Sequence, residues 1–394
     1  MNIKTSLFCL LLLMGFTAKT QQIGTWRMHI NYNNVMKLTY APNIIMGATE
    51  KSVFLYDITD NSTRTLDKAS GLSDFGVQDI AYDSTFNTFI IAYNNSNIDL
   101  FKDNTIINIP DIKNKLTSSS KNINGIYTNH GFAYISTDFG IVVLDLENEE
   151  IDNTYVIGST GDQVKVTDCA IVQDTIFALT AQGLKKASIS SGNLLDYSQW
   201  NHAVPYISGL SEIESFNDTL YGISTELAFY HNGMWQTIYT DTLPLKSLKA
   251  SETLTFIKGL NIYSVQNSVI DSLNTSFLID PQVCIKTQNS IYMGDKKLGI
   301  YKDEQKIGIG NNPFTNIGFN AVSYKNSMAI TSGGINNNVD GMDNVEGGFY
   351  IFEEGIWYNY NIYTFIPTDF PIQEFTRIVY NEYEDKLYVG MFTG

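Results

Sequence analysis

Short strands of alternating apolar and polar residues recur along almost the whole chain, separated by turns rich in Asn, Asp, Gly and Ser. A compact apolar strand is followed by a turn and a second alternating strand that closes on an aromatic and a polar residue. The unit reads Ile44-Ile45-Met46-Gly47-Ala48-Thr49 then Val53-Phe54-Leu55-Tyr56-Asp57. It returns as Phe132-Ala133-Tyr134-Ile135-Ser136-Thr137 then Gly140 to Asp145, and as Leu220-Tyr221-Gly222-Ile223-Ser224-Thr225 then Leu227 to His231. Aligned on the first residue of the apolar strand, the copies begin at Ile44, Phe89, Phe132, Ile176, Leu220, Leu254, Ile291, Met328 and Leu387, with spacings of 45, 43, 44, 44, 34, 37, 37 and 59.

A further alternating strand precedes the hairpin in each unit, as in Val77 to Tyr82, Ile123 to Tyr127 and Ala321 to Tyr324. A fourth strand follows it, opened by Gly-x-Trp in Gly24-Thr25-Trp26, Gly233-Met234-Trp235 and Gly355-Ile356-Trp357. Four strands in simple succession at this period predict propeller blades. A single four-stranded sheet cannot bury both faces, and radial stacking buries them while covering the edges. The small residues Gly47, Ala92, Gly222 and Gly294 are expected where strands crowd near an axis. A stack of β-sandwiches shares the turn spacing but not the even four-strand unit.

The fold class expected is therefore all-β: a seven-bladed β-propeller over residues 21–312, followed by the first blades of a second, truncated β-propeller over 313–394. Asn311-Asn312-Pro313 marks the boundary. Beyond it come one complete blade, Phe319 to about Ile362, and the first two strands of another, Phe375 to Gly394, so the chain reads as part of a longer protein. The strand holding Trp26 precedes any first-type strand and is expected to close a ring, in either propeller.

Residues 1–20 read as a signal peptide, with Lys4 before the apolar run Leu7 to Phe16 and a small, polar exit at Ala18 to Gln22. That run is shorter than the ~20 residues of a membrane-spanning helix, and no later segment is long and apolar enough to be a transmembrane segment. Cys9 lies inside the run, with no lipoprotein pattern around it; Cys169 and Cys284 sit on apolar strands and read as buried free thiols rather than a disulfide.

A net charge of -16 argues against nucleic acid and against direct adhesion to anionic membranes. His29, His130, His202 and His231 show no metal-ligand spacing and read as surface residues. Asp57, Asp83, Asp145, Asp174 and Asp218 fall at turns, where Asp bonds its own backbone, which argues against a glycosidase or lyase pair in the funnel. The acidic stretch Asn336 to Glu346 interrupts the eighth hairpin without the spacing of a calcium loop, and reads as a solvated insertion of the kind where partners bind. No catalytic set, cofactor motif or metal site is expected. Lys185-Lys186 and Lys296-Lys297, each following an inner strand, are the candidate basic neighbourhoods, although they read more readily as solvated turn lysines.

Gly71-Leu72-Ser73-Asp74, followed by Val77 and Ile80-Ala81-Tyr82-Asp83, resembles the two-component-regulator type of bacterial propeller repeat. With Gly24 to His29, Tyr32, Ser332-Gly333-Gly334, Gly347-Gly348 and Trp357, the mature chain from 23 to 394 resembles the PorZ family of type IX secretion system surface proteins of Bacteroidetes. That resemblance implies two seven-bladed propellers and a C-terminal sandwich, the latter absent here. It also implies a non-enzymatic docking role on the outer-membrane cell surface. The implied partners are anionic lipopolysaccharide, the sortase PorU that attaches it to cargo, and other type IX attachment-complex components. The alternatives are the periplasmic ligand-sensing propeller of a hybrid two-component system and, more remotely, a polysaccharide-active enzyme.

Overall fold

The computed structural model describes residues 27–116, 120–190, 193–202, 207, 209–266, 269–335, 342, 343, 345–364 and 375–391. The signal-peptide segment, Trp26 and most of the acidic insertion lie outside the described residues. Eight four-stranded antiparallel sheets are present among them, and in each the strands pair in chain order. The eighth carries an inserted two-residue ladder, Gly334–Ile335 with Met342–Asp343, between its second and third strands.

The first strands of the first seven sheets are Lys37–Tyr40, Val77–Asp83, Ile123–Asn129, Val166–Val172, Glu212–Phe216, Leu245–Ala250 and Pro281–Thr287. Each lies beside the first strand of the next sheet, and Pro281–Thr287 lies beside Lys37–Tyr40, so the seven close into a ring around one axis. The strands expected to stand second from the axis do so: Ile44–Ala48, Thr88–Tyr93, Phe132–Thr137, Thr175–Thr180, Thr219–Ile223, Leu254–Lys258 and Ser290–Asp295. Hairpins turn tightly because paired residues accept positive φ, as at Asp103-Asn104, Asn217-Asp218 and Gln288-Asn289.

Alternation along one strand serves two interfaces. In blade 3, Ala133, Ile135, Val142 and Leu144 pack toward blade 2 with Ile90, Ile98 and Leu100, while Tyr134, Ile141 and Val143 pack toward blade 4 with Cys169, Ile171 and Ile176. Every blade is thus apolar on both faces, which is why none is stable without neighbours. Cys169 and Cys284 are buried free thiols in these layers.

Crowding at the axis is not what the small residues answer to. Gly47 stands opposite Phe54 in the ladder, and the Phe54 ring lies where a Cβ would be; Gly294 is covered by Val35 and Val283. Among the described residues blade 7 is built from four strands within residues 281–307, and the Trp26 strand expected to close a ring lies outside the described residues. The seam between blades 7 and 1 is sealed by the segment before blade 1, whose Ile30, Tyr32 and Val35 are buried among Val283, Ile285, Tyr292 and Ile300.

After blade 7, a further sheet (Asn320–Tyr324, Ser327–Thr331, Phe349–Glu353, Ile356–Tyr360) packs against the pair Phe375–Asn381 and Lys386–Met391. Asn320 Oδ1 accepts the Ile378 N–H at 2.9 Å between them.

Candidate functional site: the axial channel

Seven first strands around an axis leave a channel, and their alternate residues point into it. At one mouth a cavity of about 420 Å³ is lined by residues of six blades, including Tyr40, Tyr82, Tyr127, Ser215, Glu214 and Lys249. Around the channel stand Asp79 of blade 2, Asp168 of blade 4, Glu212 and Glu214 of blade 5, and Lys249 of blade 6. Lys37 of blade 1 reaches Asp79 at 3.5 Å.

These carboxyl groups bind across blade boundaries. Asp79 Oδ2 accepts the Ile126 N–H at 3.1 Å, Asp168 Oδ2 that of Ile213 at 2.9 Å, and Glu212 those of Ser247 and Leu248 at 2.8 and 2.9 Å. Each ties an inner strand to the next one. Asp168 and Glu214 keep some accessible surface because they face the channel, but protein surrounds them on every side. That burial pushes Asp168 up to about 8 and Glu214 up to about 7, against the pull of backbone N–H groups and Lys249. Burial opposes the charge of Lys249, yet Asp79, Glu214, Glu212 and Asp168 together outweigh it and hold the ammonium above its ordinary value. The channel therefore keeps a firm cation among carboxyls, two of which titrate near neutrality.

Sequence reasoning missed this cluster because it looked for carboxylates at turns. The available signal was an acid inside an otherwise alternating first strand, as with Asp79 within Val77 to Tyr82.

Asp57 and Asp145 behave as the sequence implies, accepting the N–H of Thr59 and those of Glu147 and Asn148, whereas Asp174 reaches out of its own turn to accept the N–H of Ser190 after the third strand. Asp218 occupies a positive-φ turn position. Asp83 does more, since it accepts from Phe86 in its own turn and from Gly131 of the next blade. The histidines are scattered: His130 sits in a turn at positive φ, His202 ends a two-residue strand and His231 ends a third strand. His29 is exposed, as the sequence implies, and one side of its ring packs against Phe352 and Trp357. Among the described residues no group of His, Cys, Asp and Glu is arranged to hold a metal ion.

The basic pairs need correction. Lys185 lies within the third strand of blade 4, 1 % exposed, with its Nζ donating to the Ile157 carbonyl at 2.6 Å and to Ser159 Oγ at 3.1 Å. Lys186 stands over the Tyr230 ring, and Lys297 pairs with Glu346 at the end of the acidic insertion. Lys296 alone of the four is exposed.

The Gly71-Leu72-Ser73-Asp74 loop has a structural purpose. Leu72 is buried, the Ser73 N–H donates to Asp99 at 2.8 Å, and Asp74 accepts from Asn97 and Lys113. Asp99, fully buried, also accepts from Tyr93 and Asn108, so the loop is fixed to blade 2 by a satisfied polar network.

Ring closure and the channel define a seven-bladed β-propeller of four-stranded repeats. Among described residues no helix is long and apolar enough to cross a membrane. Residues 45–201 match the family described as the type IX secretion system PorZ N-terminal β-propeller domain. The chain is PorZ-like over these residues, which fall within the first four blades. The solved structure of PorZ, described as an essential bacterial surface component of the type IX secretion system of Porphyromonas gingivalis, superposes with a TM-score of 0.80 at 18% identity, over 94% of this chain and 51% of that one. The extracellular domain of a proposed hybrid two-component system from B. thetaiotaomicron superposes with a TM-score of 0.51 at 12% identity, over 95% of this chain and 52% of that one. The chain spans about half the length of both. No curated protein sequence matches it.

Proposed function

We propose that this chain is the N-terminal part of a non-enzymatic docking component of the type IX secretion system, exported by its signal peptide to the outer-membrane cell surface. In this role it presents anionic lipopolysaccharide to the sortase PorU, alongside the other components of the attachment complex. The observation that carries the reading is the superposition on the P. gingivalis surface component across 94% of the chain. On the same reading residues 313–394 begin a second propeller, because the Asn320–Ile378 contact repeats between those sheets the latches that join blades of the first.

With a net charge of -16, attraction to an anionic glycolipid cannot come from the whole surface. Lys185 is buried and Lys297 is paired, so the candidate lysine pairs supply little free positive charge. Retention then rests on divalent cations bridging carboxylates to phosphate, or on apolar contact with acyl chains. The test is a pull-down of purified anionic lipopolysaccharide by the full-length protein with and without EDTA. Retention in either condition supports the reading, and loss on EDTA selects the bridging mode. No retention in either removes the ligand. The likeness to the two-component extracellular domain then favours the second reading, a ligand-sensing propeller.

A further inference from the structure

The segment from residue 27 to Val35 touches both parts of the molecule. Its buried Ile30, Tyr32 and Val35 seal the seam of the first propeller, and the Val35 N–H donates to the Asp295 carbonyl at 3.1 Å. Its other end reaches the eighth sheet. The Asn31 N–H donates to Asn316 Oδ1 at 2.7 Å, and the His29 ring lies 4.8 Å from Phe352 and 5.4 Å from Trp357, edge-on to both. Trp357, 5 % exposed, donates its indole Nε1–H to His29 Nδ1 at 2.9 Å.

That last bond exists in one protonation state. An imidazole nitrogen accepts only while it carries no proton, so His29 must be neutral with its hydrogen on Nε2. We propose that His29 and Trp357 form a pH-sensitive clasp between the first propeller and the sheet that follows it. Protonation at Nδ1 replaces the acceptor by a donor and leaves the buried indole N–H without a partner.

The groups around His29 set where this happens. From the third and fourth strands of the eighth sheet it faces Phe352 and Trp357, neither of which carries charge. From its own segment Arg27 acts on it. Lys297 and Glu346, at the same junction, are engaged with each other and with Tyr363. Burial first, and Arg27 second, hold His29 below its ordinary 6.5, so the clasp is closed at neutral pH and opens in mild acid. The other ties across the junction, Asn31 to Asn316, Lys297 to Glu346, Asn311 to Trp357 and Asn312 to Asn359, do not pass through His29 and stay. The two parts loosen without separating.

The experiment is a pH titration of the whole chain with its tryptophans ¹⁵N-labelled, following the indole N–H resonance that disappears in Trp357→Phe. The expected result is a shift of that resonance with a midpoint below 6.5, together with loss of amide protection in residues 29–35 as it titrates. In His29→Gln the midpoint should vanish. A resonance that stays fixed between about pH 7.5 and 5, or the same midpoint in His29→Gln, overturns the clasp. Should His29→Gln fold poorly, the His29 ring protons of the unaltered chain decide it. A midpoint shared with the indole supports the clasp, and one that differs overturns it.

Discussion

Asp168 Oδ2 accepts the main-chain N–H of Ile213 at 2.9 Å, joining the inner strand of blade 4 to that of blade 5. Asp168→Ala removes the acceptor and leaves an enclosed N–H unpaired, which is expected to cost ~1–3 kcal/mol in equilibrium unfolding. Asp168→Asn keeps an acceptor oxygen and should cost less. Equal losses in the two variants would show that the latch is not the hydrogen bond.

The same residue predicts how stability varies with pH. Burial raises Asp168 from 3.8 to about 8 and Glu214 from 4.5 to about 7 in the folded protein. A carboxyl raised on folding holds a proton that the unfolded chain has already released, so folding is favoured most below the unfolded value and loses this contribution as pH climbs through the folded one. The thermal midpoint should therefore fall between about pH 4 and 8, the span from the unfolded to the folded values of these two groups, and Asp168→Asn should flatten the decline. A midpoint rising with pH across that window would contradict it.

Among the described residues the seam between blades 7 and 1 is held by packing and by main-chain contacts such as Val35 to Asp295. Gly294 has no room for a side chain because Val35 and Val283 each approach within 2.7 Å of where its Cβ would stand. Gly294→Val is expected to cost ~1–3 kcal/mol by overpacking. Amide exchange should rise first in Lys37–Tyr40 and Pro281–Thr287, and a uniform rise across all blades would count against a localised seam.

Two tryptophans that look alike in sequence should differ on truncation. Trp357 is buried against His29, Phe352 and Tyr350, and its loss to Ala is expected to cost ~3–5 kcal/mol. Trp235 is half-buried over Gly222 and beside Tyr230, so Trp235→Ala should cost roughly half as much. Chemical unfolding of both variants orders them, and a larger loss at Trp235 would reverse the packing account.

The fold was legible because the repeat is written in strand alternation, a local property that survives without knowledge of neighbours. Ile44, Phe89, Phe132 and Ile176 mark second strands for that reason. What was not legible depends on which residues meet across blades. Asp79, Asp168, Glu212, Glu214 and Lys249 lie up to 170 positions apart in sequence, as Lys249 − Asp79 shows, and converge only when the ring closes. Lys185 illustrates the reverse error: a lysine pair on paper resembles an exposed basic patch, yet the strand's alternation turns Lys185 inward to the Ile157 carbonyl. His29 likewise shows no pattern of its own, and its partner Trp357 is supplied by a sheet formed more than 300 residues later, |i−j| being 328.

Deletion of the gene in the organism that carries it tests the central claim most directly, read as the state of type IX cargo on the cell surface. The docking account predicts cargo that lacks its lipopolysaccharide anchor, with anchoring restored by the full-length gene. Cargo anchored normally in the deletion strain would contradict it.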